Sequence, residues 1–290
     1  METVAVHGGA FHADDVFAVA ILKSIYPDLR VVRTRDPKKL RGADARVDVG
    51  NKYNHKTKDY DHHQREMAGK RDNGIPYSGV GLIWKHYGRN LVEEDVWRYV
   101  DKRLIQNIDA EDNGVRTYIV QGIFPYFIDE MIKSFNPQWP DITMENFDES
   151  FGEAVEIAIK VLKAEIERAK SVLKAKKIFL DAVSKSESKD YVILDEYIPN
   201  GEVAVEETDL KYVVFRDTVE NYWLIKAVPK SLLKRGNRKD LPKGWGGLIG
   251  EELEKVSDVK GAMFCHWALF LAGAETKEAI LEMLEKALKD

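Results

Sequence analysis

Thr3-Val4-Ala5-Val6-His7-Gly8-Gly9-Ala10-Phe11-His12-Ala13-Asp14-Asp15-Val16-Phe17-Ala18-Val19-Ala20-Ile21 is the stretch that decides the fold. Its first four residues form a short apolar run that reads as a strand. Two glycines then permit a tight turn. Asp14 or Asp15 is placed to cap a helix whose residues Val16, Phe17, Val19, Ala20 and Ile21 cover one broad apolar face. Residues 30–34 and 45–49 follow as further strands. Strand, helix and strand in this rhythm imply a parallel sheet with helices on its faces.

Helical patterns follow at residues 79–87 and 93–108. The segment 135–148, with Pro137, Trp139 and Pro140, interrupts the periodicity. Residues 151 to about 184 carry the longest helical pattern, with Ala154, Ile157, Val161, Leu162, Ile166 and Ala169 recurring at three- and four-residue spacing. Residues 191–194, 203–205, 212–215 and 222–227 then read as strands, with Val219-Glu220-Asn221 at a turn. A last strand at 262–266 leads into a helix over 277–288. The expected class is α/β: an N-terminal parallel-sheet domain (1–150), a long linking helix (151–187) and a smaller α+β C-terminal domain (188–290).

Composition narrows the function classes. The chain has 290 residues, 44% hydrophobic and 32% charged, which suffices for a buried core and excludes a disordered chain. No apolar run approaches the eighteen or so residues of a membrane span, and the start lacks the basic and apolar stretches of a targeting segment. Cys265 is the single cysteine, so neither a disulfide framework nor a cysteine zinc site is expected. The expected setting is reducing and cytoplasmic. With 44 Lys+Arg against 49 Asp+Glu the net charge is −5, so any polyanion must be held by metal or by a local basic patch.

Asp61-His62-His63 is the sharpest local motif: random placement of these residue types gives roughly 0.01 such triplets in a chain of this composition. Alone it also suits a hydrogen-bonded turn. The stretch from His7 to Asp15 gathers two imidazoles and two carboxylates at a strand's C-terminal end, where open α/β sheets place their sites; by itself it also suits a glycine loop with a helix cap. Asp48 ends another strand, and Asp109, Glu111 and Asp112 lie where a helix ends, a pattern shared with solvated helix termini. Nitrogen and oxygen donors without thiolate suit manganese, iron or zinc better than calcium. His7, His12, Asp14, Asp48, His62 and one of Asp109 or Asp112 are enough for two ions. Such a pair activates water and clamps a phosphoryl group.

Together these motifs resemble those of the DHH phosphoesterase superfamily, and more closely the melanocyte-proliferating-gene family. The matching stretches run from His7 to Asp15, over Val47-Asp48-Val49-Gly50, Asp61-His62-His63-Gln64, Gly81-Leu82-Ile83 with His86, Ile108 to Gly114, Phe135-Asn136-Pro137 with Trp139, and Leu241-Pro242 with Trp245. The resemblance implies a metal-binding DHH domain followed by a substrate-binding lobe. It also implies 3′→5′ exonuclease activity on short single-stranded RNA or DNA, with two divalent ions: manganese foremost, then magnesium, iron or zinc. His7, His12 and Asp48 would hold one ion; Asp14, the shared Asp48, His62 and Asp109 or Asp112 the other. His63 would face the scissile phosphate, Asp61 would orient an imidazole, and Asp15 would act as a cap or supporting residue.

In the C-terminal part, Lys230, Lys234, Arg235, Arg238, Lys239 and Lys243 stand against only Asp240, with Trp245 alongside for base stacking. The same run also reads as a solvated loop. His266 stands where the family carries a histidine before a glycine-containing turn, although Trp267 and Phe270 make this turn bulkier. The expected partner is a short nucleic acid or nucleotide and no membrane; self-association stays open. A phosphohydrolase of dinucleotides, polyphosphate or pyrophosphate, or a metal- or nucleic-acid-binding protein without turnover, are the alternatives. A peptidase is disfavoured by the lack of a His-Glu-x-x-His motif or nucleophile elbow. His55, His86 and Cys265 read as structural.

Overall fold

The computed structural model describes residues 1–117, 122 and 125–290, which fall into two compact units, Met1–Lys170 and Ser171–Asp290. The first is built from β1 (Thr3–Val6), α1 (Ala13–Ile25), β2 (Arg30–Arg33), α2 (Pro37–Gly42), β3 (Ala45–Val47), β4 (Tyr53–Asn54), β5 (Asp59–Tyr60), α3 (Gly79–Tyr87), α4 (Glu94–Val100), α5 (Gln106–Asp112) and α6 (Ile128–Lys133). Its five-stranded sheet has the order β2-β1-β3-β5-β4. All neighbours are parallel except the β4–β5 edge pair. The parallel sheet expected from the strand–helix–strand rhythm is therefore present, with a short antiparallel edge that the sequence pattern did not mark.

The first helix is more deeply enclosed than a one-faced pattern implies. Every residue from Ala13 to Leu22 is buried, including Asp14 and Asp15. Each large apolar side chain here contributes about 1.5–3 kcal/mol on burial, which offsets part of the cost of enclosing two carboxylates. The cap also differs from expectation: His12, not an aspartate, is the N-cap residue. Asp15 reaches back from the third helical position to accept the His12 backbone N–H at 2.9 Å.

α7 runs from Met144 to Lys185, starting earlier than the helical periodicity suggested, and the division between the units falls within it. The second unit continues with β6 (Tyr191–Leu194), α8 (Gly201–Glu206), β7 (Tyr212–Asp217), β8 (Tyr222–Ala227), α9 (Gly250–Ser257), β9 (Ala262–Cys265), β10 (Leu271–Ala274) and α10 (Lys277–Lys289). Its sheet order is β6-β7-β8-β10-β9, with only β6–β7 parallel. Strand alternation feeds two cores. Tyr212, Val214 and Ile225 pack with Leu253, Ile280 and Met283 on one face. Val213, Phe215 and Leu224 pack with Phe179 and Val203 on the other.

Two assignments change. Residues 203–205 belong to α8, not a strand: Asn200 starts a helical turn there, its carbonyl accepting the Ala204 N–H at 2.7 Å. The small-residue strand β10 went unread because Leu271-Ala-Gly-Ala has none of the β-branched enrichment that marks strands. No helix among the described residues is long and apolar enough to cross a membrane.

Candidate metal centre

The order β2-β1-β3 puts a topological switch at the C-terminal ends of β1 and β3, where chain segments leave in opposite directions and a crevice opens. His7 follows β1, Asp48 follows β3 and Asp61-His62-His63 follows β5. Asp14 and Asp15 enter from the first turn of α1, and Asp112 from the last residue of α5. Asp48 has φ 51°, a left-handed conformation that costs a non-glycine residue about 1–2 kcal/mol. That turn, continued by Gly50 at φ 100° and Asn51 at φ 57°, sets the Asp48 carboxylate between two imidazoles.

His7 Nε2 lies 3.2 Å from both Asp48 Oδ2 and Asp15 Oδ2. His62 Nε2 lies 3.4 Å from Asp48 Oδ1, 3.1 Å from Asp112 Oδ2 and 4.0 Å from Asp14 Oδ2. Three groups of potential ligands result: His7–Asp15–Asp48, Asp48–His62–His63 and Asp14–His62–Asp112, each with its donor atoms within 4.8 Å of one another. Asp48 belongs to two of them.

Charge and burial explain what this cluster requires. Burial, then repulsion from Asp48, Asp112 and Asp15, pushes the Asp14 carboxyl well above the usual range. Burial lifts Asp15 to about 7 despite the opposing pull of His7. Asp48 goes the other way: pairing with His62 and His7 overcomes its desolvation and holds it below the usual range. Burial opposes the charged form of His62, but its pairing with Asp112 and Asp48 prevails and raises it to about 10. His7 is raised for the same reason, by Asp48 and Asp15 against its burial.

Even so, Asp14 Oδ1 and Oδ2, Asp15 Oδ2, Asp48 Oδ1 and His62 Nε2 are buried with no hydrogen-bond partner. Unsatisfied buried acceptors are costly. Their convergence on one spot fits divalent cations, which supply the missing charge and coordination.

Around the cluster lies a cavity of about 930 Å³ lined by, among others, His7, His12, Arg35, Asp48, Asp61, His63, Asp112 and Lys133. His63 is 60% exposed at its side chain and accessible from this space. Asp61 accepts from the backbone N–H of Asn51 at 2.5 Å and of His63 at 3.1 Å. Its Oδ1 also lies 2.7 Å from His63 Nδ1. This contact places the Nδ1 proton on the carboxylate side and leaves Nε2 free.

The remaining sequence candidates are placed as follows. His12 lines the cavity, with its ring centroid 6.0 Å from that of His7, but stands outside the three groups of potential ligands; the carboxylate grouped with His7 and Asp48 is that of Asp15. The alternatives at the fourth motif separate cleanly. Asp109 is fully buried and accepts from Ser78 N at 2.9 Å, Ser78 Oγ at 2.7 Å and Gly81 N at 3.1 Å. Its other oxygen is held by Arg71, whose guanidinium is also bound to Asp101. Asp112 instead faces His62.

In the C-terminal unit Arg238 is consumed by the carbonyls of Leu210 and Val205, at 3.0 and 2.7 Å, and Lys239 contacts the Leu288 carbonyl at 3.3 Å. Trp245 is only 4% exposed and packs in the core, so its ring offers no stacking face. Arg235 is exposed. His266 is half-buried, its Nδ1 accepting the Ala268 N–H at 3.1 Å, while the neighbouring Trp267 is 77% exposed.

The sequence reading missed Asp129, which accepts the Ala13 N–H at 3.0 Å and so fixes the start of α1. It also missed Arg71, the counter-ion of Asp109. Neither falls within a motif; each is found only through a partner far along the chain. His55 and His86 form a stacked pair, centroids 3.9 Å apart, bonded to Tyr60 and Tyr53 respectively at 2.8 Å each.

Residues 3–288 match a model described as "Uncharacterised protein family (UPF0160)", whose name is that of the MYG1 exonuclease family. The chain belongs to the MYG1 family. An MYG1 protein of Schizosaccharomyces pombe is 31% identical, the match covering 98% of this chain and 97% of the relative. The human protein named MYG1 exonuclease is 30% identical, over 98% of this chain and 85% of the relative. An MYG1 protein of Chlamydia trachomatis is 29% identical, over 99% and 96%. The buried carboxylates and imidazoles are compatible with metal binding.

Proposed function

We propose that the chain is a divalent-metal-dependent phosphodiesterase that shortens single-stranded nucleic acid from an end. The substrate is short RNA foremost, with DNA as the alternative, and the direction 3′→5′. The observation that carries this reading is the convergence of five unsatisfied buried donor and acceptor atoms from Asp14, Asp15, Asp48 and His62 at the C-terminal edge of a parallel sheet. His7, Asp15 and Asp48 would hold one ion, with His12 on the adjoining cavity wall. Asp14, Asp48, His62 and Asp112 would hold the other. Nitrogen-and-carboxylate ligation without thiolate favours manganese, with magnesium, iron and zinc as competitors.

Bound there, the ions supply activated water and charge neutralisation at the phosphoryl oxygens. The chain's own contribution is positional. Asp61 holds the His63 ring at the cavity wall, where it can face the scissile phosphate. The enclosed cluster keeps ligand side chains immobile, so little reorganisation accompanies reaction.

The test is release of mononucleotides from end-labelled RNA and DNA by metal-stripped protein resupplied with one ion at a time. Manganese-dependent stepwise shortening supports the reading, and the labelled end gives the direction. Cleavage confined to dinucleotides, or to pyrophosphate and polyphosphate, replaces it with small-substrate phosphohydrolysis. Bound metal without turnover on any of these leaves a binding protein.

A further inference from the structure

The cavity wall is rich in acids, with Asp48, Asp61, Glu111, Asp112 and Asp129 all lining it. A polyanion entering here needs positive charge and grip from the rim. Among the described residues two cationic side chains line the cavity besides its imidazoles, Arg35 and Lys133. Lys133 is already engaged, 2.5 Å from Asp129 and 3.8 Å from Glu130. Arg35 is exposed and makes no hydrogen bond or ion pair among the described residues. It stands two residues beyond β2, at the C-terminal edge of the sheet that supplies the metal ligands. A free guanidinium in that position matches the geometry of a phosphate.

A second unspent group lies in the segment between α6 and α7. Trp139 is 85% exposed and makes no ring contact or hydrogen bond among the described residues. The other tryptophans of this unit are tied down: the indoles of Trp84 and Trp97 each donate to the other's carbonyl, at 3.2 and 2.9 Å.

The segment carrying Trp139 is fastened to the loop between β1 and α1. Asn136 accepts the Phe11 N–H and donates to the Phe11 carbonyl, both at 2.9 Å. Met144 Cε lies 2.9 Å from where a Cβ on Gly8 would stand, and Gly8 lines the cavity. The indole is thus held in water on a support anchored to the same loop that bears His7 and His12. Exposed aromatic faces next to basic groups are the way single strands are gripped without sequence readout.

We propose that Arg35 and Trp139 form the strand-receiving rim of this cavity, Arg35 taking a backbone phosphate and Trp139 stacking on an unpaired base of single-stranded nucleic acid. This assignment rests on the phosphodiesterase reading above. It moves strand recognition to the unit that carries the metal ligands, and away from the 230–243 segment.

The test uses full-length, manganese-loaded protein and a labelled single-stranded RNA decanucleotide. Wild type is compared with Arg35→Ala, Trp139→Ala, Trp139→Phe and Arg30→Ala, the last an exposed cation at the opposite end of β2. Trp139→Ala should raise KM roughly five- to hundredfold with kcat little changed, and Trp139→Phe should restore most of the loss. Arg35→Ala should raise KM and reduce the slope of log KM against log salt by about 0.7, the loss of one phosphate contact on a single strand. Arg30→Ala should match wild type, and bound manganese should be equal in all five proteins.

Wild-type KM and an unchanged salt slope in both variants, with wild type cleaving normally, overturn the proposal alone. Loss of bound manganese in either variant also overturns it, because the residue then supports the centre instead of the strand. Wild type that binds manganese but leaves the decanucleotide uncut and unbound overturns the phosphodiesterase reading and this assignment with it.

Discussion

Replacing Asp109 by Asn should unfold the N-terminal unit more readily while leaving the candidate metal ligands in place; replacing Asp112 by Asn should do the reverse. Asp109 is fully buried and satisfies Ser78, Gly81 and Arg71 at once. The amide keeps the volume but removes the charge and turns an N–H toward the Arg71 guanidinium, itself only 8% exposed. Breaking a buried pair on one side costs about 3–5 kcal/mol; Asp101 remains as a second partner for Arg71, which favours the lower end. For a unit of this size, about 2–4 °C of melting temperature is lost per kcal/mol, so Asp109→Asn should melt roughly 10 °C lower.

Asp112 is 16% exposed at its side chain and its partner is His62, in a neighbourhood already crowded with carboxylates. Asp112→Asn should therefore change the metal-free melting temperature by under about 2 °C. What it should lose is the upward shift that saturating manganese gives wild type, about 2.7 kcal/mol at a hundredfold excess over Kd. The assay is calorimetry of chelator-treated protein with and without added manganese. The reasoning fails if Asp109→Asn melts like wild type, or if Asp112→Asn keeps the full manganese shift.

Three further outcomes follow from the same geometry. Asp15 is raised to about 7, so its contribution to metal-free stability is fully present below about pH 4 and lost as pH rises through 7; Asp14, also raised, adds a loss of the same sign as pH rises. His62, raised to about 10, adds a further loss between about pH 6.5 and 10; the manganese-induced melting shift should accordingly be larger at pH 8 than at pH 5. Gly81→Ala would set a Cβ against the Asp109 carboxylate and should destabilise the unit by about 1–3 kcal/mol, seen as a lower denaturation midpoint. Trp245→Ala should cost the C-terminal unit about 3–5 kcal/mol in denaturant unfolding, whereas Trp267→Ala should stay within about 0.5 kcal/mol.

The first strand, its glycine turn and the first helix were legible because a single contiguous stretch held both the periodicity and the polar residues. The same is true of Asp61-His62-His63, whose rarity marks it without any structure. Asp109 and Asp112 were not separable by inspection. They stand three residues apart on one helix, and what distinguishes them is Arg71, 38 residues earlier. Trp245 was misplaced for a related reason: a basic neighbourhood suggests exposure, but its ring is enclosed by the core that Leu253 and Ile280 build. Local patterning shows which residues can do chemistry. Which of them are already spent on holding the fold depends on partners that only packing brings near.

Asp14 and Asp15 are consecutive on a helix whose residues advance by about 100° around its axis. Their carboxylates therefore fan apart, one into the group with His62 and Asp112, the other into the group with His7 and Asp48. The separation between the two ligand groups is thus fixed by the pitch of α1, not by any adjustable loop. A one-residue insertion ahead of Asp14 would rotate both carboxylates together by about 100°, so neither group could be altered at this end without disturbing the other.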